Sequence, residues 1–144
     1  MKKYDINEIM ALIPHRYPIL LVDRILDVDP GKSVKALKNV TINEPYFNGH
    51  FPEKPVMPGI LVVEGMAQAA ATMIFLDVPE DKKDVICYLA SLEKAKFRGM
   101  VVPGDQIRYE VDCIQARSMT RKFSGKAFVD DKLVCEAVFV CIAQ

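Results

Sequence analysis

Apolar and polar residues alternate with a period of two over 106–115. Ile107, Tyr109, Val111 and Cys113 fall on one side there, and Arg108, Glu110 and Asp112 on the other. That period marks a strand with one buried face. Related patterns over 120–129 and 133–142 flank Asp130-Asp131-Lys132, which predicts a hairpin. Further strands are predicted over 19–28, 33–40 and 85–97. The first is apolar on both faces and is closed by the turn Asp29-Pro30-Gly31. Near the start, Ile6, Ile9, Met10 and Ile13 follow helical spacing, with Asp5 placed to cap the helix and Pro14 to stop it.

Against this two-residue rhythm, the stretch 59–76 is hydrophobic nearly all round and reads as a helix enclosed by the rest of the protein. Pro58-Gly59 opens it, since proline suits a first turn whose N–H groups lack helical partners. Before it, 43–57 contains Pro45, Gly49, Pro52 and Pro55 and predicts a long loop of restricted dihedrals. The same apolar stretch is marginal in length for a membrane span, and Glu64 and Gln68 interrupt it. Long antiparallel strands with one buried helix predict an α+β architecture in which a curled sheet wraps the helix, as a single domain over 1–144.

Composition narrows the function classes. Of 144 residues 51% are hydrophobic, which argues against disorder, and the formal net charge of zero offers no global attraction to nucleic acid. The lysines at positions 2 and 3 are not followed by an apolar segment, so no secretory leader is expected. Cys87, Cys113, Cys135 and Cys141 are scattered without metal-ligand spacing. That predicts free thiols, no metal, no cofactor and a cytoplasmic setting.

The chemistry concentrates at Glu64, the single charge of the apolar helix. A buried acid is costly unless paired, neutralised or used. His50 lies just upstream in Gly49-His50-Phe51-Pro52. At the helix start the free N–H groups near Gly59 carry the positive end of the helix dipole, and glycine allows close approach of a substrate carbonyl. Glu64 stands about 7.5 Å further along the axis. Elimination of water from a 3-hydroxyacyl thioester would use such a set. His50 would take the α-proton, the Gly59 N–H would bear the enolate-like charge, and Glu64, kept protonated by apolar burial, would protonate the leaving hydroxyl directly or through a water. His15, the other histidine, is read as structural.

The motifs Pro14-His15-Arg16-Tyr17-Pro18, Leu20-Leu21-Val22-Asp23-Arg24, Asn48-Gly49-His50-Phe51-Pro52, Pro55-Val56-Met57-Pro58-Gly59, Glu64-Gly65-Met66-Ala67-Gln68 and Val102-Pro103-Gly104-Asp105 occur in this order. Together the chain resembles the FabZ-type (3R)-hydroxyacyl-acyl carrier protein dehydratases of type II fatty acid synthesis. The resemblance implies a hot-dog fold and an obligate homodimer. It also implies sites at the dimer interface, with His50 of one copy facing Glu64 of the other, and further assembly into a trimer of dimers. Glu64 favours the non-isomerising branch over the FabA type, which usually carries Asp there. Met57 and Gly99-Met100 depart from the residues common in relatives, and both positions bear on the mouth of the acyl tunnel.

An acyl carrier protein is acidic, so basic residues should dock it. Lys94, Lys96 and Arg98 form one candidate cluster, and Arg117, Arg121, Lys122 and Lys126 form a second. Ile60, Met66, Ala67, Ala70 and Met73 are candidates for lining the tunnel. Two other readings use the same residues. One is a hot-dog thioesterase in which Glu64 activates water; the other is a non-catalytic carrier-protein-binding module in which Glu64 merely pairs at a dimer contact.

Overall fold

In the computed structural model, which describes residues 2–144, one long helix lies against a six-stranded antiparallel sheet. Helix α1 (Ile6–Leu12) is followed by strands β1 (Arg24–Asp29) and β2 (Ser33–Asn39). A 3-10 turn (Pro45–Asn48) then leads into helix α2 (Gly59–Asp77). Strands β3 (Cys87–Phe97), β4 (Gln106–Arg117), β5 (Thr120–Val129) and β6 (Lys132–Ala143) complete the chain. The sheet runs β1-β2-β4-β5-β6-β3, so β1 and β3 form its edges. Helix α2 touches all six strands, which is the wrapped-helix arrangement expected.

Asp5 caps α1 as anticipated, and Glu8 completes a reciprocal capping box by accepting from the Asp5 N–H. The β5–β6 hairpin turns at Asp130 and Asp131, both with positive φ (48° and 61°), the conformation a tight hairpin requires. Inward positions of the sheet and one side of α2 form a continuous core containing Ile25, Ala36, Tyr109, Phe123, Ala127 and Phe139. Helix α2 satisfies the length and hydropathy of a membrane span, yet 72% of that window is buried inside the fold.

Three boundaries differ from the sequence expectation. Residues 19–23 are not strand, and β1 starts only at Arg24. Their backbone groups are taken by side chains instead: Gln68 accepts from the Leu21 N–H and donates to the Ile19 carbonyl, while the Tyr109 hydroxyl donates to the Leu21 carbonyl. The loop 43–57 contains the 3-10 turn. The start of α2 is also not enclosed: Ile60 is 55% exposed, and Leu61 and Glu64 are part-exposed.

Gly65 shows how closely helix and sheet approach. A Cβ there would overlap the hydroxyl of Tyr109, a fully buried residue. Gly65→Ala must displace that ring. Overpacking costs about 1–3 kcal/mol, whereas helix propensity returns at most about 1 kcal/mol. The variant should therefore be measurably less stable in urea unfolding; equal or greater stability would contradict this packing.

Candidate active site

The His50 loop is held from beneath. Lys38 occupies an inward position of β2, is 4% exposed, and pairs with Glu44. The second Glu44 oxygen accepts from the Thr41 N–H at 2.9 Å. Glu44 stands at the N-cap of the 3-10 turn, so a buried ion pair anchors the segment that delivers His50. The His50 N–H donates to the Tyr46 carbonyl at 3.0 Å, and the Val56 N–H donates to the His50 carbonyl at 3.0 Å. Neither Lys38 nor Glu44 was singled out from sequence. A lysine at an inward strand position was the available signal.

The imidazole orientation fixes its chemistry. His50 Nδ1 lies 2.7 Å from the Val56 carbonyl oxygen. A carbonyl can only accept, so Nδ1 carries the hydrogen, and in the neutral ring it is Nε2 that presents the lone pair. A neutral ring with a free Nε2 is equipped as a general base.

Residues beyond this loop bring the helix start alongside. The Met57 N–H donates to the Val101 carbonyl at 2.8 Å, and the Leu61 N–H closes the first turn on the Pro58 carbonyl at 2.9 Å. Among the described residues no backbone hydrogen bond takes the Gly59 or Ile60 N–H. A Cβ on Gly59 would overlap the Phe97 ring, so glycine is required for this approach. His50, Gly59 and Ile60 share a cavity of about 670 Å³ with Phe97, Met100 and Cys135. The lining is mainly apolar and of the size that takes a small ligand. Met57, Gly99 and Met100, the departures expected to bear on the tunnel, all line it.

Glu64 does not line this cavity. Its side chain is 26% exposed, on the uncovered face of α2 with Ile60, rather than enclosed as the apolar run suggested. Within the chain its imidazole neighbour is His15, whose Nε2 lies 3.7 Å from Glu64 Oε1. Gln68 Nε2 donates to the same oxygen at 3.2 Å. Burial pushes the His15 pKa below the usual histidine value, opposed by the Glu64 charge and reinforced by Arg16. One chain therefore brings His50 and Gly59 together and places Glu64 elsewhere.

Of the five residues proposed to line a tunnel, only Ile60 does. Met66, Ala67, Ala70 and Met73 are core, because the inward side of α2 is filled by the sheet. The basic clusters also divide. Arg121 is 8% exposed and bonded to Asp77 at 2.9 Å, which withdraws it from any docking surface. Lys122 pairs with Glu93, and Arg98, at the cavity, pairs with Glu136. Lys94, Lys96 and Lys126 converge on one outer groove beside Glu136. Arg117 lies apart, near Gln115 and Thr120.

The FabA-like domain family matches residues 13–138. The chain is 49% identical over 140 residues to a 3-hydroxyacyl-[acyl-carrier-protein] dehydratase FabZ of Actinobacillus pleuropneumoniae, covering 97% of this chain and 91% of that relative. It is 52% identical over 140 residues to the protein of the same name from Variovorax paradoxus, covering 95% and 92%. Among solved structures, the dehydratase heterocomplex ApeI:P from Xenorhabdus doucetiae superposes with a TM-score of 0.80 at 14% identity, covering 94% of this chain and 90% of that one. A mutant thioesterase from Pseudomonas aeruginosa gives 0.69 at 15%, covering 97% and 94%. The two structures establish the fold alone. Sequence identity sustained across nearly the whole length establishes more: this chain belongs to the FabA-like family, within its FabZ group.

Proposed function

We propose that the protein dehydrates (3R)-3-hydroxyacyl-acyl carrier protein to the trans-2-enoyl form in fatty acid synthesis, as a homodimer with shared sites working in the cytoplasm. The observation that carries this reading is the cavity in which a base, His50, and the open N-terminus of α2 meet beneath an apolar wall. His50 Nε2 takes the α-proton. The electron pair moves onto the thioester carbonyl oxygen, held by the Gly59 N–H. Its return expels the β-hydroxyl, which leaves as water with the Glu64 proton. No metal or cofactor enters these steps.

Strand β3 supports the dimer. It is an eleven-residue edge strand exposing Tyr88, Leu89, Leu92 and Phe97, an edge that proteins ordinarily cover. Leu92 and Phe97 also line the cavity, so a second copy pairing along β3 would bring its own α2 face and Glu64 near this His50. Further assembly into a trimer of dimers belongs to the same reading.

Wild type should interconvert crotonyl and 3-hydroxybutyryl thioesters, followed by enoyl absorbance. His50→Ala and Glu64→Gln should each lower kcat by about 100- to 10,000-fold. Release of free thiol without enoyl formation would replace the reading with a thioesterase; full activity of both variants would remove the assigned roles.

Co-refolding the two variants at equal amounts tests the shared site. Random pairing makes half the dimers mixed, each with one intact site, so activity should recover to about a quarter of wild type. Without recovery in confirmed heterodimers, His50 and Glu64 do not act across the interface.

For docking, KM on carrier-protein substrate should rise with salt while KM on a short thioester mimic stays level. Lys94→Glu with Lys96→Glu should reproduce that selective rise. Equal salt responses of the two substrates would exclude electrostatic docking.

A further inference from the structure

An acid that protonates a leaving group must hold its proton on the oxygen facing the substrate. We propose that His15 is a positioning residue for Glu64: with Gln68 it fixes Oε1 as an acceptor and leaves Oε2 to carry the proton. The inference rests on the dehydratase reading above, and it assigns a task to a motif left without one.

Three observations carry it. The first is convergence. Gln68 Nε2 and His15 Nε2 both address Oε1, at 3.2 and 3.7 Å. The Gln68 amide cannot be reversed, because its oxygen accepts the Leu21 N–H at 2.7 Å and its nitrogen donates to the Ile19 carbonyl at 2.7 Å. The His15 separation is longer than a hydrogen bond, and such contacts tighten when substrate closes a site.

The second is the tautomer. His15 Nδ1 is buried and has no partner among the described residues. A hydrogen on Nδ1 would have no acceptor, so the ring hydrogen belongs on Nε2, pointing at Glu64. The same burial disfavours the imidazolium, in which both nitrogens carry hydrogen. His15 is thus a neutral donor.

The third is the exclusion of cations. Arg16, adjacent in sequence, turns its guanidinium to the carbonyls of Met10, Ile13 and His15 at 2.7–2.9 Å. These bonds fix the backbone that carries His15 and hold the permanent charge on carbonyls. From the sheet side, the Cys87 and Cys141 thiols lie within reach of the Glu64 charge, and Arg121, the cation that also acts on Cys87, is held by Asp77. A lysine or arginine at position 15 would favour the ionised carboxylate, which cannot act as an acid. Two neutral donors orient the carboxyl without that penalty.

The test compares His15→Gln, His15→Leu and His15→Lys in the full-length protein, with Glu64→Gln alongside. His15→Gln retains a neutral donor and should keep kcat within about 3-fold of wild type, whereas His15→Leu should lose about 3- to 10-fold in kcat with KM unchanged. His15→Lys should move the high-pH limb of the kcat profile to lower pH by about one unit, because activity requires the protonated acid and a cation favours its loss. A profile is a ratio of rates within one sample, so it stays decisive if a variant is partly unfolded. An unmoved high-pH limb in His15→Lys, or equal kcat for His15→Gln and His15→Leu, overturns the proposal. If Glu64→Gln is itself fully active, the dehydratase assignment of Glu64 fails first; if it is inactive and the position-15 series is flat, the inference alone fails.

Discussion

The carboxamide of Gln68 is the interaction on which the rest of this structure depends. It is 1% exposed at the middle of α2, and every polar atom it has is engaged. Its oxygen accepts from the Leu21 N–H, and its nitrogen donates to both the Ile19 carbonyl and Glu64. Without it the Leu21 N–H would be a buried donor with no partner, at a cost of about 1–3 kcal/mol. The segment would then lack a reason to leave the sheet and cross the helix. That crossing brings His15 to Glu64 and the Leu21 carbonyl to Tyr109, whose ring occupies the space Gly65 leaves open. A single amide thus couples helix, sheet and acid.

The same arrangement explains which parts were legible in the sequence. Strand alternation over 106–115 and the Asp130-Asp131 turn are local, and both appear where the pattern places them. Residues 19–23 have the apolar content of a strand but lie against α2, with their hydrogen bonds met by side chains 47 and 88 positions away. No local pattern encodes such partners. Most of the tunnel candidates prove to be core for a related reason. Helix α2 is apolar all round, and periodicity cannot say which side faces the sheet and which a cavity. Phe97, Met100 and Cys135 come to the cavity from strands and loops distant in sequence.

His50 and Gly59 stand out in the sequence because loop rigidity and a helix-start glycine are written in contiguous residues, and the structure places both at one cavity. Glu64 stands out because it is chemically alone, though its partial exposure was not foreseen. A helix whose remaining length is buried leaves one uncovered face at its start, and the uncovered edge strand β3 carries apolar side chains. Both features suit a chain whose surface is completed by another copy. The hydrophobic run therefore reflects two kinds of burial, one within the fold and one proposed between chains.

Charge is organised with comparable economy. Asp27, Lys35, Glu110, Lys126, Glu136 and Lys96 are consecutive cross-strand partners, forming a row of alternating sign over all six strands. Directly opposed residues share a face, so each interior lysine of this row lies between two carboxylates. That is why a sequence count of basic residues overstated the docking surface. Within one chain the row ends at Lys96 on the β3 edge. Lys94 stands beside it, and Arg98 follows at the cavity. There Glu136 stands opposite Lys96 and also accepts from Arg98, so two cations share one carboxylate. That group is beside the cavity, which under the dehydratase reading is where an acidic carrier would present its thioester.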